Sequence, residues 1–226
     1  MNALSAPTSP LHSLLSRITG DAKHAPSAHS TLDVLWVLYD RVLRITPGTV
    51  DEPDRDRFLL SKGHGPAAYY AVLAAKGFIP EEWLDSLGSW ESPLGHHPDR
   101  MLIPGVEVGT GSLGHGLGLA VGTALGLRAQ GFDRARTFVL VGDAELDEGS
   151  NHEAIAYAAA IALPLTTVVI DNQSSTYGWP GGIPHRFPGW SADVVDGRDH
   201  DQIERALRHR TGRPHLVVAT VESKRG

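Results

Sequence analysis

Four carboxylates fall within six residues in the stretch FVLVGDAELDEGS, where Asp143, Glu145, Asp147 and Glu148 follow directly on an apolar run that begins at Phe138. A solvated loop accounts for most runs of charge. Asp143 calls for more, because it follows Gly142 at the end of a buried strand, where a lone carboxylate is costly unless a cation or hydrogen-bond donors meet it. About thirty residues on, a second apolar run, LTTVVIDN, ends in Asn172. If the two strands are neighbours, one carboxylate oxygen and one amide oxygen converge, which suits a hard cation such as magnesium or calcium. Two protein oxygens do not complete such a shell, and a diphosphate, a main-chain carbonyl and water are suitable sources of the rest. Part of the acidity has a structural explanation: Ser150 and Glu153 have the spacing of a capping box for a helix over 151–163.

The elements that must carry these groups follow from hydrophobic periodicity. Residues 1–10 read as disordered, and LHSLLSRI as a first helix with Leu11, Leu14, Leu15 and Ile18 on one face. A domain is expected from about Ala28, after an N-terminal extension over 1–27, and it opens with a helix in which Leu32, Leu35, Trp36 and Tyr39 recur at helical spacing. FLLS reads as a strand, AAYYAVLAAKG as a helix closed by Gly77, and IPEEWLDSLG as a short helix with Pro80 near its start. From there strands TFVLVG, LTTVVIDN and HLVVATV alternate with helices NHEAIAYAAAIAL and DQIERALRHR, with a further strand ahead of the last helix. Continuous Val/Ile/Leu strands at βαβ spacing imply an α/β fold, a mostly parallel sheet with helices on both faces. Ligands of such sheets bind beyond the carboxyl ends of the strands, where Asp143 and Asn172 stand.

Composition narrows the class of function. A chain of 226 residues with 41% hydrophobic residues builds one sizeable core. A formal charge of −6 without a long basic run argues against nucleic-acid and anionic-membrane partners. There is no cysteine, so neither disulfides nor thiolate metal sites are available. No run spans a membrane and the first thirty residues lack a signal-peptide layout, which makes the cytoplasm the expected location. The stretch GTGSLGHGLG also satisfies GxGxxG through Gly109, Gly111 and Gly114. As a dinucleotide fingerprint it is weak, since it leads into a long helix of small residues with no acidic strand end about twenty residues on.

GDAELDEGSNHEAIAYAAAIALPLTTVVIDN resembles the thiamine diphosphate motif, which begins GDG and closes in asparagine. The succession HSTLDVLWVLYDRVL, SKGHGPAAYYAVLAAKG, GHHPD, GVEVGTGSLGHGLGLAVG, GDAELDEG, IDN and GWSADVVDGRDHDQI is similar to the diphosphate-binding domain of transketolase, from about Ala28 onward. The resemblance implies thiamine diphosphate and magnesium (or calcium) as cofactors, with Asp143 and Asn172 as side-chain metal ligands and Ser174 as a main-chain one. It implies that Gly142 and Ala144 present backbone to the diphosphate, with Ala144 standing where the family has glycine. Gly111 and Leu113 would lie against the thiazolium and aminopyrimidine. His29, His64 and His97 resemble the family's active-site histidines, with His96 a register competitor for His97, while His115 and His152 read as structural. Glu148 resembles a carboxylate that couples paired active sites across a dimer; Glu145 and Asp147 read as solvated.

The implied activity is two-carbon ketol transfer from a ketose to an aldehyde or aldose. The family's activating glutamate lies on a separate pyrimidine-binding domain, and the chain reaches VESKRG without one. The expectation is therefore one subunit of a split enzyme, working as two copies of each chain. The family's late phosphate-contacting histidine has no clear counterpart. Two rivals stay open: a deoxyxylulose-phosphate-synthase-like acyl transfer, and a noncatalytic scaffold that keeps the fold.

Overall fold

The computed structural model describes residues 10–19 and 25–223. Of the segment expected to be disordered, residues 1–9 lie outside the described residues, and Pro10 opens the first helix. Five strands form one parallel sheet: β1 (Arg57–Leu60), β2 (Thr137–Gly142), β3 (Thr166–Asp171), β4 (Ser191–Asp196) and β5 (His215–Thr220), in the order β1-β2-β3-β5-β4.

Strand residues alternate between two cores, as the two-residue repeat of a strand requires. Phe58, Leu60, Phe138, Leu140, Val168, Ile170, Val217 and Ala219 point into the larger one. There they meet α1 (Pro10–Arg17), α2 (Ala25–Val37), α3 (Ala67–Ala75) and α6 (His200–Arg208). Leu59, Val139, Val141, Val169, Leu216 and Val218 point the other way, against α4 (Gly116–Ala129) and α5 (Gly149–Ala160) and against Trp179, Phe187 and Trp190 of the loop after β3. Leu11, Leu14 and Leu15 of α1 are buried in the first core, so α1, ahead of Ala28, packs on the domain. Among the described residues no helix is long and apolar enough to cross a membrane.

Two local features differ from expectation. The helix that starts α2 does not run on as one α-helix: it widens to a π-turn over Leu38–Val42, which keeps Leu38, Tyr39 and Val42 buried and lets Tyr39 and Tyr69 share a hydrogen bond of 2.8 Å. The capping box at Ser150 and Glu153 is absent. The helix begins at Gly149 with Glu148 as N-cap, so Ser150 already lies in the first turn, where its hydroxyl donates to Gly114 O at 2.7 Å; Glu153 is exposed.

Candidate active site

Strands β2 and β3 are parallel neighbours with Gly142 opposite Ile170, so Asp143 and Asn172 come off adjacent strand ends at the carboxyl edge. The carboxylate of Asp143, 3% exposed, accepts from Ser174 N at 2.6 Å, Ser174 Oγ at 2.8 Å and Ser175 N at 3.3 Å. Donors therefore meet this carboxylate, and it pins the 174–175 turn. Asn172 is different. It is 4% exposed, and its Oδ1 is buried without any hydrogen-bond partner. Leaving a buried acceptor unpaired costs about 1–3 kcal/mol, and such an atom calls for a partner, whether water, ion or ligand. An orphaned amide oxygen one strand from a carboxylate is the donor set of a hard cation, so these residues fit a magnesium ion.

The acidic run divides sharply. Glu145 and Asp147 read as solvated, yet Glu145 is 1% exposed and Asp147 is half-buried. Asp147 accepts from Ser175 Oγ at 2.7 Å and Thr176 N at 2.8 Å, so it holds the turn after Asn172 together with Asp143. Glu145 Oε1 accepts from Ser61 Oγ and from Gly114 N at 3.0 Å, and Oε2 accepts from Gly142 N at 3.2 Å. Ser61 Oγ in turn accepts from Gly116 N at 3.0 Å. One carboxylate thus bolts the end of β1, the glycine-rich loop before α4 and the strand-end glycine of β2 into one unit. Burial pushes its pKa above the ordinary carboxylate value, against the pull of Ser61, Gly114, Gly142 and Lys62. The signal for this role was the loop itself: glycine N–H groups that enter a core need an acceptor, and Glu145 is the acceptor within reach.

Glu145→Ala strands three donors at once and is expected to cost about 3 kcal/mol, breaking a buried charged network. For a chain of this size that corresponds to a melting temperature lower by roughly 6–12 °C, measured by circular dichroism. A change within about 2 °C would show that Glu145 does not hold the loops together.

The same loops assemble the histidines. The rings of His64 and His97 pack edge to face with centroids 5.2 Å apart. Gly111, at φ +129°, permits this: a Cβ there would lie 2.8 Å from His97 Cδ2. Farther on, a side chain on Gly116 would collide with Ser61, so that glycine sets how closely the start of α4 approaches β1. His96, the register competitor, lies instead beside Gly88. On α2, Ser27 Oγ donates to His64 O at 2.9 Å. His29 stands two residues along on that helix, with its carbonyl accepting from Arg198 at 2.9 Å. Desolvation, and then the charges of His12 and Arg198, hold His29 below its ordinary pKa. His115 occupies the N-cap position of α4 without a side-chain capping bond, and His152 packs against the Trp179 ring at 5.5 Å.

Ala144 opens a 3₁₀ turn, Ala144–Asp147, and is not among the residues with positive φ, so its methyl causes no backbone strain. Leu113 is half-buried within the glycine-rich loop, and Glu148 is exposed at the start of α5, its stem against Gly114. Lys62 is the basic residue that sequence reading missed. Its Nζ donates to Ser27 O at 2.9 Å and Ser30 Oγ at 3.1 Å, and its methylenes run past Gly142, 3.3 Å from where a Cβ would stand. The carboxyl edge thus offers an amide oxygen, a carboxylate and strand-end backbone, with the Lys62 side chain running past Gly142, a set suited to a cation paired with a diphosphate.

Comparison with known proteins agrees with this geometry. Residues 19–221 match the family model "Transketolase, thiamine diphosphate binding domain". The chain is 56% identical over 215 residues to "Ferredoxin fas2" of Rhodococcoides fascians, across 93% of this chain and 71% of that protein. With no cysteine, this chain offers no thiolates for an iron–sulfur cluster. It is 36% identical over 214 residues to one subunit of the apulose-4-phosphate transketolase of Actinobacillus succinogenes, across 90% of this chain and 77% of that one. The transketolase structure from Campylobacter jejuni superposes with a TM-score of 0.76 at 26% identity, covering 92% of this chain and 37% of that one. The chain therefore spans about a third of a full transketolase chain. It belongs to the transketolase family of thiamine-diphosphate-dependent transferases, and it is the N-terminal, diphosphate-binding domain of that fold.

Proposed function

We propose that the chain is the diphosphate- and metal-binding subunit of a two-chain transketolase-like enzyme, which moves a two-carbon ketol unit from a ketose to an aldehyde or aldose. The observation that carries this reading is the buried, unpartnered Oδ1 of Asn172 beside Asp143. Asp143, Asn172 and the main chain of Ser174 would hold magnesium. The backbone of Gly142 and Ala144 would meet the diphosphate, with Gly111 and Leu113 against the rings. Thiamine diphosphate, when bound, supplies stabilisation of the carbanion formed as the ketose is cleaved. His64 and His97, packed ring on ring, and His29 on the adjoining helix would exchange protons with substrate hydroxyls and carbonyls, as imidazoles do near neutral pH. The second chain would bring the pyrimidine-binding domain, in an assembly of two copies of each. The split is supported by the Actinobacillus relative, which is named as one subunit of its transketolase and of which this chain covers 77%.

An assay with a ketose donor and an aldehyde acceptor tests the reading on the assembled enzyme. His64→Ala and His97→Ala are each expected to lower turnover by at least roughly 100-fold, the usual worth of general acid–base help. Both lie in Gly/Pro-rich loops, so melting temperatures are expected to stay within about 3 °C of the parent. Variants that unfold, or that turn over normally, would remove the catalytic assignment.

A further inference from the structure

The amino edge of the sheet, opposite the end that carries Asp143 and Asn172, holds a second cluster of ligating groups. Asp193 on β4, His209 just after α6 and His215 at the start of β5 each offer one atom, and the three atoms lie within 4.8 Å of one another. A single carboxylate oxygen, Asp193 Oδ2, is 3.1 Å from His209 Nδ1 and 3.4 Å from His215 Nε2. A four-coordinate ion with ligands at about 2.1 Å has ligand–ligand edges of about 3.4 Å, so these separations already match two edges of a tetrahedron. The rings of His209 and His215 cross at 69° with centroids 5.0 Å apart, so they are not stacked flat on each other.

We propose that Asp193, His209 and His215 form a binding site for zinc or a similar divalent transition ion, which clips the edge strand β4 to the end of α6 and the start of β5. Two imidazoles and one carboxylate are the donor set zinc takes with water in the fourth position. His209 and His215 also line a cavity of about 320 Å³, which leaves room for that water.

The surroundings of His215 are built for the required tautomer. It is 2% exposed, and its Nδ1 lies 2.8 Å from Ser191 Oγ. If Nδ1–H donates to Ser191 Oγ at 2.8 Å, the serine hydroxyl donates to Thr211 Oγ1 at 3.1 Å, and Thr211 Oγ1 donates to Arg213 O at 3.0 Å. That relay leaves Nε2 with a lone pair facing Asp193, and metal-bound histidines are commonly fixed in this way by an outer hydrogen bond. In the other tautomer Nε2–H donates to Ala206 O at 3.2 Å and Nδ1 accepts from the Ser191 hydroxyl.

The test uses the full, tag-free chain, titrated with zinc by calorimetry in excess magnesium, and with cobalt(II) while visible absorption is recorded. One zinc per chain and an intense four-coordinate cobalt spectrum are expected. His209→Ala and Asp193→Ala change partly exposed side chains, so both are expected to fold. Each is expected to lose at least roughly 100-fold in zinc affinity, since even outer-shell changes cost 10–100-fold. His185→Ala, at an exposed histidine elsewhere, is expected to bind zinc as the parent does. No zinc uptake by the parent, or unchanged uptake in both ligand variants, would reduce the cluster to hydrogen-bonded side chains and overturn the proposal.

Discussion

Asn172→Ala is expected to lower magnesium-dependent thiamine diphosphate affinity of the assembled enzyme by at least roughly 100-fold, beyond the 10–100-fold that changes outside a metal's own ligands produce. In the same variant the cofactor-free chain is expected to keep its melting temperature or gain slightly. The two expectations share one cause. Asn172 Oδ1 is buried without a hydrogen-bond partner, so the fold by itself bears the desolvation of that oxygen and receives nothing for it. A bound cation would reverse the balance. Asp143→Ala is the necessary contrast: its carboxylate accepts from Ser174 N, Ser174 Oγ and Ser175 N, so its removal should loosen that turn and lower stability as well as affinity. Calorimetry for the cofactor and thermal melts without it separate the cases. Undiminished affinity in Asn172→Ala would remove the metal from this strand edge.

The purified chain alone is expected to show less than about a thousandth of the ketol-transfer rate of the chain mixed with its pyrimidine-domain partner. The cofactor chemistry is idle unless the aminopyrimidine is activated, and acid–base help of that kind is worth 10²–10⁴-fold or more. The surface agrees with an obligate partner. Leu119 on α4 is 49% exposed and Tyr157 on α5 is 51% exposed. Gly118 and Gly122 have nothing within 4 Å of where a side chain would stand. The shallow groove between these helices is lined also by His115, Val121, Ser150 and Ala154, and Glu148 stands at the N-cap of α5. Small residues beside exposed apolar ones are what a neighbouring helix packs against. Leu119→Glu should therefore keep the fold and abolish assembly and activity together. Mass measurement with and without the partner, followed by the donor–acceptor assay, decides the matter. Full activity from the pure chain would mean that the activating group lies within it and would end the two-chain reading.

How much of this was legible without coordinates follows from the range of the forces involved. Strand β2 is predicted residue for residue, because six consecutive apolar or small residues bounded by Arg136 and Asp143 are decided by local pattern and burial. The parallel sheet with two helical layers follows from βαβ spacing, and so does the carboxyl edge as the place of Asp143 and Asn172. The family's ordered motifs named the cofactor. The fate of Glu145 could not be read in the same way. Within its own segment it is one acid among four, and what buries it are donors from Ser61 and Gly114, 84 and 31 residues away in the chain. Ser150 likewise has capping spacing, and only the approach of Gly114 draws its hydroxyl elsewhere. The cluster of Asp193, His209 and His215 has no local signature either, since three elements bring it together across 22 residues. Local patterning, in which each residue's preference adds to its neighbours', determined the elements and the edge where the site lies. Which carboxylate bolts the loops together and which ones pin the turn after Asn172 was decided only by tertiary packing, because a buried charge takes its role from whichever partners the fold brings within about 3 Å.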